Sequence, residues 1–169
     1  MAVRDILLFP HPLLKTPCRE ASNLDGAARE LLQDLSDTMY ASPGVGLAAP
    51  QIGVSVRAIA VDVTRPSPSG KPPPPGHGLV LLLNPRVARS EGEQKFREGC
   101  LSIPDFLADI RRAARVRVEG VDAEGRPAVV EAEGFEAVAL QHEIDHLDGF
   151  LFLDRVEDVK TDLFRRKRR

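Results

Sequence analysis

The stretch Gln141-His142-Glu143-Ile144-Asp145-His146-Leu147-Asp148-Gly149 constrains this chain more than any other. It contains H-E-x-x-H, two imidazoles four residues apart. On a helix they lie one above the other on a single face, near enough to share one metal ion. Glu143 projects about 100° round from His142, where it can take a proton from a water beside the ion. With four His and twelve Glu among 169 residues, a random arrangement would show the pentapeptide with a probability on the order of one per cent.

The flanking residues sharpen the reading. Phe135, Val138, Ala139, His142 and His146 keep the spacing of one helical face, and Leu140, Ile144, Leu147 and Leu151 form a second apolar row. A helix apolar on two sides is a core helix. Yet Gln141, His142, Glu143, Asp145 and His146 crowd five polar or ionisable side chains into six residues. Burying that many unpaired would cost several kcal/mol, so the cluster has a purpose.

A length of 169 residues, 43% apolar and 28% charged, describes one ordinary soluble domain, 1–169. No apolar run approaches the roughly 18 residues that span a bilayer. Arg4, Asp5, Pro10 and Pro12 interrupt the N-terminal stretch, which is no secretory core segment. Two cysteines make no disulfide framework, and the expected compartment is the reducing cytoplasm. Cys18, in a Pro-flanked segment, reads as a packing residue.

The pattern predicts an amphipathic helix from Asp25 to Ala41, capped by Asn23 or Asp25 and stopped by Ser42-Pro43-Gly44. Gly44-Val45-Gly46-Leu47-Ala48-Ala49-Pro50-Gln51 is a small-residue loop ending on an amide. Strands are predicted at Val56–Val63, Leu79–Leu83, Arg115–Gly120 and Pro127–Glu133, the last two joined through a turn at Asp122–Gly125. Residues 65–78 hold six prolines and read as a mobile surface loop with little that could pack; His77 within it has no evident partner. Gly134 admits the core helix and Gly149 ends it. The expected fold is α+β, antiparallel sheets around a central helix that carries H-E-x-x-H.

A catalytic metal site takes three protein ligands and keeps one position open. Downstream, the third-His position of one metalloprotease class is Phe152, and Glu157 and its Asp neighbours are poorly placed. Cys100, in Arg97-Glu98-Gly99-Cys100-Leu101-Ser102-Ile103-Pro104, is the better candidate, because a thiolate with two imidazoles leaves a fourth position for water.

Three stretches, GVGLAAPQ (44–51), EGCLS (98–102) and QHEIDH (141–146), stand in the order and at about the spacing found in peptide deformylases. The chain resembles a bacterial member of that family from the Phe9-Pro10-His11-Pro12 region to about Asp154. The resemblance implies a metallohydrolase that removes the N-formyl group from the initiator methionine of new polypeptides. It implies Cys100, His142 and His146 as metal ligands and Glu143 as the general base. Gln51 and the backbone N–H of Leu101 would face the formyl oxygen. Gly44, Val45, Gly46, Glu98 and Gly99 would contact the peptide. The implied ion is Fe2+, with Zn2+, Ni2+ or Co2+ able to replace it. Two departures stand out: Pro43 where family members often have Glu, and Leu107 where they often have an Arg on the substrate-binding face.

Two other functions compete with this one. A general zinc peptidase is disfavoured by the missing third His and by the framing of Cys100. A non-catalytic ribosome- or RNA-binding protein with a structural metal would more often close its site with a fourth Cys or His. The second rival draws on residues 165–169, which hold five of the 23 basic residues; the other 164 residues carry 18 against 25 acidic ones. An acidic body with a basic tail predicts contact with something anionic, here the ribosome. The partners expected are therefore N-formylmethionyl nascent peptides and the ribosome, with no membrane, for a monomer.

Overall fold

In a computed structural model that describes residues 2–167, two antiparallel sheets enclose one helix. Helix α1 (Gly26–Tyr40) precedes β1 (Gly46–Ala48), β2 (Ala58–Val61) and β3 (Val80–Glu91). Next come β4 (Gln94–Cys100), β5 (Ile103–Arg112), β6 (Arg115–Val121) and β7 (Pro127–Glu133). Helix α2 (Gly134–Leu147), the one-turn α3 (Val159–Asp162) and β8 (Leu163–Arg165) complete the chain. The larger sheet runs β1-β2-β3-β6-β7 and the smaller β4-β5-β8.

Strand alternation explains the layers. Ala58 and Ala60 of β2 point to one face, where Leu31, Leu32, Leu35 and Met39 of α1 cover them. Ile59 and Val61 point to the other, against Leu140, Ile144 and Leu147 of α2. A period of two on the strand thus sends alternate residues to two different helices. The small sheet builds its own core from Ile103, Ala108 and Ile110 with Leu14, Leu151 and Phe152.

The α1 helix begins where the sequence predicts, with Asp25 accepting a hydrogen bond from the Ala28 N–H at 2.8 Å. The 122–125 turn also forms, Gly125 lying at φ 82° and donating to the Asp122 carbonyl at 3.0 Å. Several predicted boundaries need correction. The second strand is shorter than Val56–Val63. The third runs twelve residues instead of ending at Leu83, crossing two register shifts. Asn84 makes the first of these possible: it adopts φ 50° while its amide bonds both backbone groups of Ala21.

The β4–β5 hairpin was not predicted, because Gln94-Lys95-Phe96-Arg97-Glu98 offers almost no apolar alternation. Residues 65–78 carry no helix or strand, yet both ends are tied down, against the expectation of little packing. The Arg65 guanidinium donates to the carbonyls of Met39, Ser42 and Gly44 at 2.9, 3.0 and 2.7 Å. His77 does have a partner: its N–H and its Nδ1 meet the two carboxylate oxygens of Glu136 at 2.7 and 2.6 Å.

The expected basic tail also changes character. Arg165 lies inside β8, opposite Phe106, and Arg166 follows it with its N–H on the Asp105 carbonyl at 2.8 Å. Arg168 and Arg169 lie outside the described residues. The sequence pattern missed β8 because three residues are too few to show a period.

Gly149 closes α2 at φ 82°, and a Cβ there would stand 2.9 Å from the carbonyl oxygen of Lys15. Gly53 has the same sign of φ, 85°, with nothing within 4 Å. Gly149→Ala should therefore lose stability both to backbone strain, about 1–2 kcal/mol, and to overpacking, about 1–3 kcal/mol. Gly53→Ala should lose only the first. Denaturant unfolding of the two variants tests this, and equal losses would show that the 15–17 segment yields freely to α2.

Candidate metal centre

Cys100 ends β4 at a register shift that turns its side chain toward α2. His142 and His146, one helical turn apart, meet it with ring centroids 5.1 Å apart. One ligand atom from each of the three residues lies within 4.8 Å of the others, and all three are buried. Sγ of Cys100 is 3.4 Å from Nε2 of His146. His142 bonds its Nδ1 to Glu98 at 2.8 Å, so its Nε2 is the atom left for the centre. A thiolate and two imidazoles within this distance fit a single divalent ion of the first transition row. The downstream position that would have held a third His carries Phe152, whose ring stacks on His142 at 6.1 Å.

Glu143 lies beside this group, buried, with Oε2 making no hydrogen bond to any described residue. Burial pushes its carboxyl up to about 7, and nearby Glu98 and Asp145 add to the rise against the pull of His142 and Arg112. Gly46 makes that position possible, since a Cβ there would stand 2.6 Å from Oε1 of Glu143. Gln51 is 1% exposed. Its Oε1 accepts from the Ala48 N–H at 2.9 Å, which turns its NH2 toward Ser102 Oγ at 3.1 Å and Cys100 Sγ at 3.7 Å. An N-terminal arm holds both loops in place. Leu7 donates to the Gln51 carbonyl at 2.7 Å and Phe9 to that of Ser102 at 2.9 Å.

Together these elements border a cavity of about 400 Å3, with Gly44, Val45 and Gly46 on one wall and Glu98, Gly99 and Leu101 on another. A family model of polypeptide deformylases matches residues 3–162. The chain belongs to this family. The peptide deformylase of Syntrophobacter fumaroxidans is 42% identical over 99% of this chain and 94% of its own. That of Desulfosudis oleivorans is 45% identical over 99% and 93%. A crystal structure of the Ehrlichia chaffeensis peptide deformylase superposes with a TM-score of 0.83 at 34% identity, covering 94% of this chain and 90% of that one. A Met-Ala-Ser-bound peptide deformylase from Acinetobacter baumannii superposes at 0.85 with 31% identity, covering 92% and 99%. The chain is a metal-dependent hydrolase that removes the N-formyl group from nascent peptides.

Among the residues gathered from the sequence, Glu98 sits differently from a peptide contact. Its carboxylate is enclosed, taken by His142 on one side and by Arg112 on the other. Arg112 grips it with two bonds, 2.6 and 2.9 Å, and reaches Asp145 of α2 at 2.9 Å. Arg155 completes the chain of charges with 2.6 and 2.8 Å bonds to Asp145. Burial pushes the Glu98 carboxyl up, but the bonds from His142 and Arg112 outweigh it and hold it below the usual range. Burial disfavours the His142 cation, yet Cys100 and Glu98 hold its pKa well above the ordinary histidine value.

Sequence reasoning passed over Arg112 and Arg155. The available signal was arithmetical: an acid expected to be buried at Asp145 needs a cation, and Arg111-Arg112 supplies one at the end of a strand. The hydrogen-bonded pairs keep ions buried only while both partners remain. Arg112→Leu should therefore cost about 3–5 kcal/mol in urea unfolding and weaken metal retention about 10- to 100-fold through the freed His142. A loss below about 1 kcal/mol, the size of an exposed pair, would remove the network from the account of stability.

Proposed function

We propose that the formyl group of an N-formylmethionyl peptide is cleaved between these walls, with Cys100, His142 and His146 as metal ligands and Glu143 as acid–base group. The observation that carries this is the buried Oε2 of Glu143, unpaired beside three ligand atoms within 4.8 Å of one another. A divalent ion held there supplies Lewis acidity toward the formyl oxygen and makes water more acidic. Glu143 accepts a proton as the water oxygen bonds to the formyl carbon. It then returns the proton to the amine nitrogen as the C–N bond breaks, releasing formate and a free N-terminus. A carboxyl near neutrality suits both transfers.

The Gln51 amide, held in orientation through Ala48, is one donor to the developing oxyanion. The backbone N–H of Leu101, next to Cys100, is the second. Phe135, Val138 and Ala139 offer an apolar surface on the cavity wall for the flexible methionine side chain. Gly44, Val45 and Gly46 approach from the edge of the larger sheet, and Glu98 and Gly99 from the edge of the smaller. An extended peptide fits between two such edges as an added strand. In this reading Glu98 contributes its backbone to the peptide and its side chain to His142. The Acinetobacter baumannii relative, solved with Met-Ala-Ser, holds what remains after deformylation of formyl-Met-Ala-Ser.

Fe2+ is the proposed ion, a metal that a mixed thiolate–imidazole set binds well. Glu143→Gln, purified without air, should retain the same divalent ion as the parent while turnover of formyl-Met-Ala-Ser falls about 10²- to 10⁴-fold. Metal lost together with activity would make Glu143 a ligand, and zinc in both proteins would overturn the iron assignment.

We place the proposed ribosome contact on the run that begins at Lys167, because the backbones of Arg165 and Arg166 are held in the small sheet and the Arg166 side chain lines the cavity. Lys and Arg contacts to phosphates release counterions, so such binding weakens steeply with salt. A chain ending at Arg166 should bind ribosomes less tightly in sedimentation, with a shallower salt dependence. Unchanged binding would exclude that segment as the contact.

A further inference from the structure

The end of the chain returns to the active-site cavity. β8 pairs with β5 through Phe106–Arg165, Leu107–Phe164 and Ala108–Leu163. The Arg166 N–H then bonds the Asp105 carbonyl. This fixes the Arg166 backbone as a continuation of the sheet, while its side chain reaches back over β5 to β4. The Nη2 atom lies 2.8 Å from where a Cβ of Gly99 would be, and Leu107 Cδ2 lies 2.9 Å from the same point. Gly99 thus leaves the space that Arg166 fills, one residue before Cys100.

Among the described residues, three guanidinium groups stand near this site, and two are committed. Arg112 is buried between Glu98 and Asp145. Arg97 pairs with Asp109 at 3.0 Å and covers the Phe164 ring at 4.0 Å. Arg166 is exposed, lines the cavity and forms no ion pair with any described residue. The acids that share the cavity, Glu98 and Glu143, are enclosed below it.

We propose that Arg166 is a specificity-determining residue, selecting peptides with an acidic side chain at the second or third position after the formyl group. This rests on the deformylase reading above. A peptide whose formyl carbon lies at the metal ligands runs out along the β4 edge, past Gly99. Its downstream side chains there meet a positive charge that no described residue pairs.

The test compares kcat and KM for formyl-Met-Xaa-Xaa amides carrying Glu, Gln or Lys at the second or the third position, using the metal-loaded full chain. Glu should be favoured over Gln by about two- to fivefold in kcat/KM, the range of an exposed ion pair. The preference should reside in KM and shrink as salt rises. Arg166→Gln should abolish it, Arg166→Glu should turn it toward Lys, and Arg166→Lys should keep it. Arg126→Gln, the same charge change in the distant β6–β7 turn, should leave it intact. Ratios in Arg166→Gln and Arg166→Glu equal to those of the parent would overturn the proposal, as would a parent that deformylates every peptide alike. A parent that deformylates none of them would overturn the underlying reading as well.

Discussion

The buried chain His142–Glu98–Arg112–Asp145, carried out to the exposed Arg155, holds the remainder of the structure in register. It crosses from α2 to β4, on to β5, back to α2 and out to the segment after it. Isolated ions at the four buried positions would each cost several kcal/mol to bury. Every carboxylate oxygen in the chain instead faces a guanidinium or an imidazole. The bidentate grips of Arg112 on Glu98 and of Arg155 on Asp145 also fix angles as well as distances. Apolar contacts alone would let α2 slide on the small sheet; this network admits one arrangement, and that arrangement brings Cys100 to the two histidines.

The larger sheet does the complementary work. Leu140, Ile144 and Leu147 bury one side of α2 against Ile59, Val61 and Leu82, while the polar side faces the smaller sheet. The helix therefore has no solvent face, as its two apolar rows require. Its polar residues divide between the candidate metal centre and the structural network. His142, Glu143 and His146 lie at the centre. Asp145 turns to the arginines, and Gln141 exchanges hydrogen bonds with the backbone of Ala113 at 3.1 and 3.0 Å. The crowding of five polar groups that stands out in the sequence thus divides, in the proposed reading, between a metal site and a structural network on one helix.

Much of the site was readable because its signals are local or strongly patterned. The H-E-x-x-H spacing, the cap at Asp25 and the positive φ of Gly149 each depend on residues within a few positions of one another. What escaped depends on partners far apart. Arg112 is 14 residues from Glu98 and 33 from Asp145. In the β4–β5 hairpin only Glu98 and Cys100 of β4 are buried, and the charged strand has too few apolar residues to show a period. Arg165 and Arg166 read as tail because five basic residues in succession mask the Leu163-Phe164 pair that binds them to β5. His77 had no partner in sequence because Glu136 lies 59 residues away. Each omission concerns a polar residue whose role is set by what the fold brings to it.

The two sheets leave an unusual pair of edges. β1 ends the larger sheet and β4 ends the smaller, so among the described residues each has one side without a strand neighbour, and both border the cavity. Free edges invite pairing with other chains. Here the hazard is limited by form: β1 is only three residues long, and β4 carries Lys95 and Arg97 with exposed side chains. Closing either edge with a further strand would remove the liability and also the space between the walls. An enzyme that takes extended peptides in through their N-termini needs that space open. In the proposed reading, the incompleteness of both sheets is the binding site, and the substrate supplies the missing strand only while it is being processed.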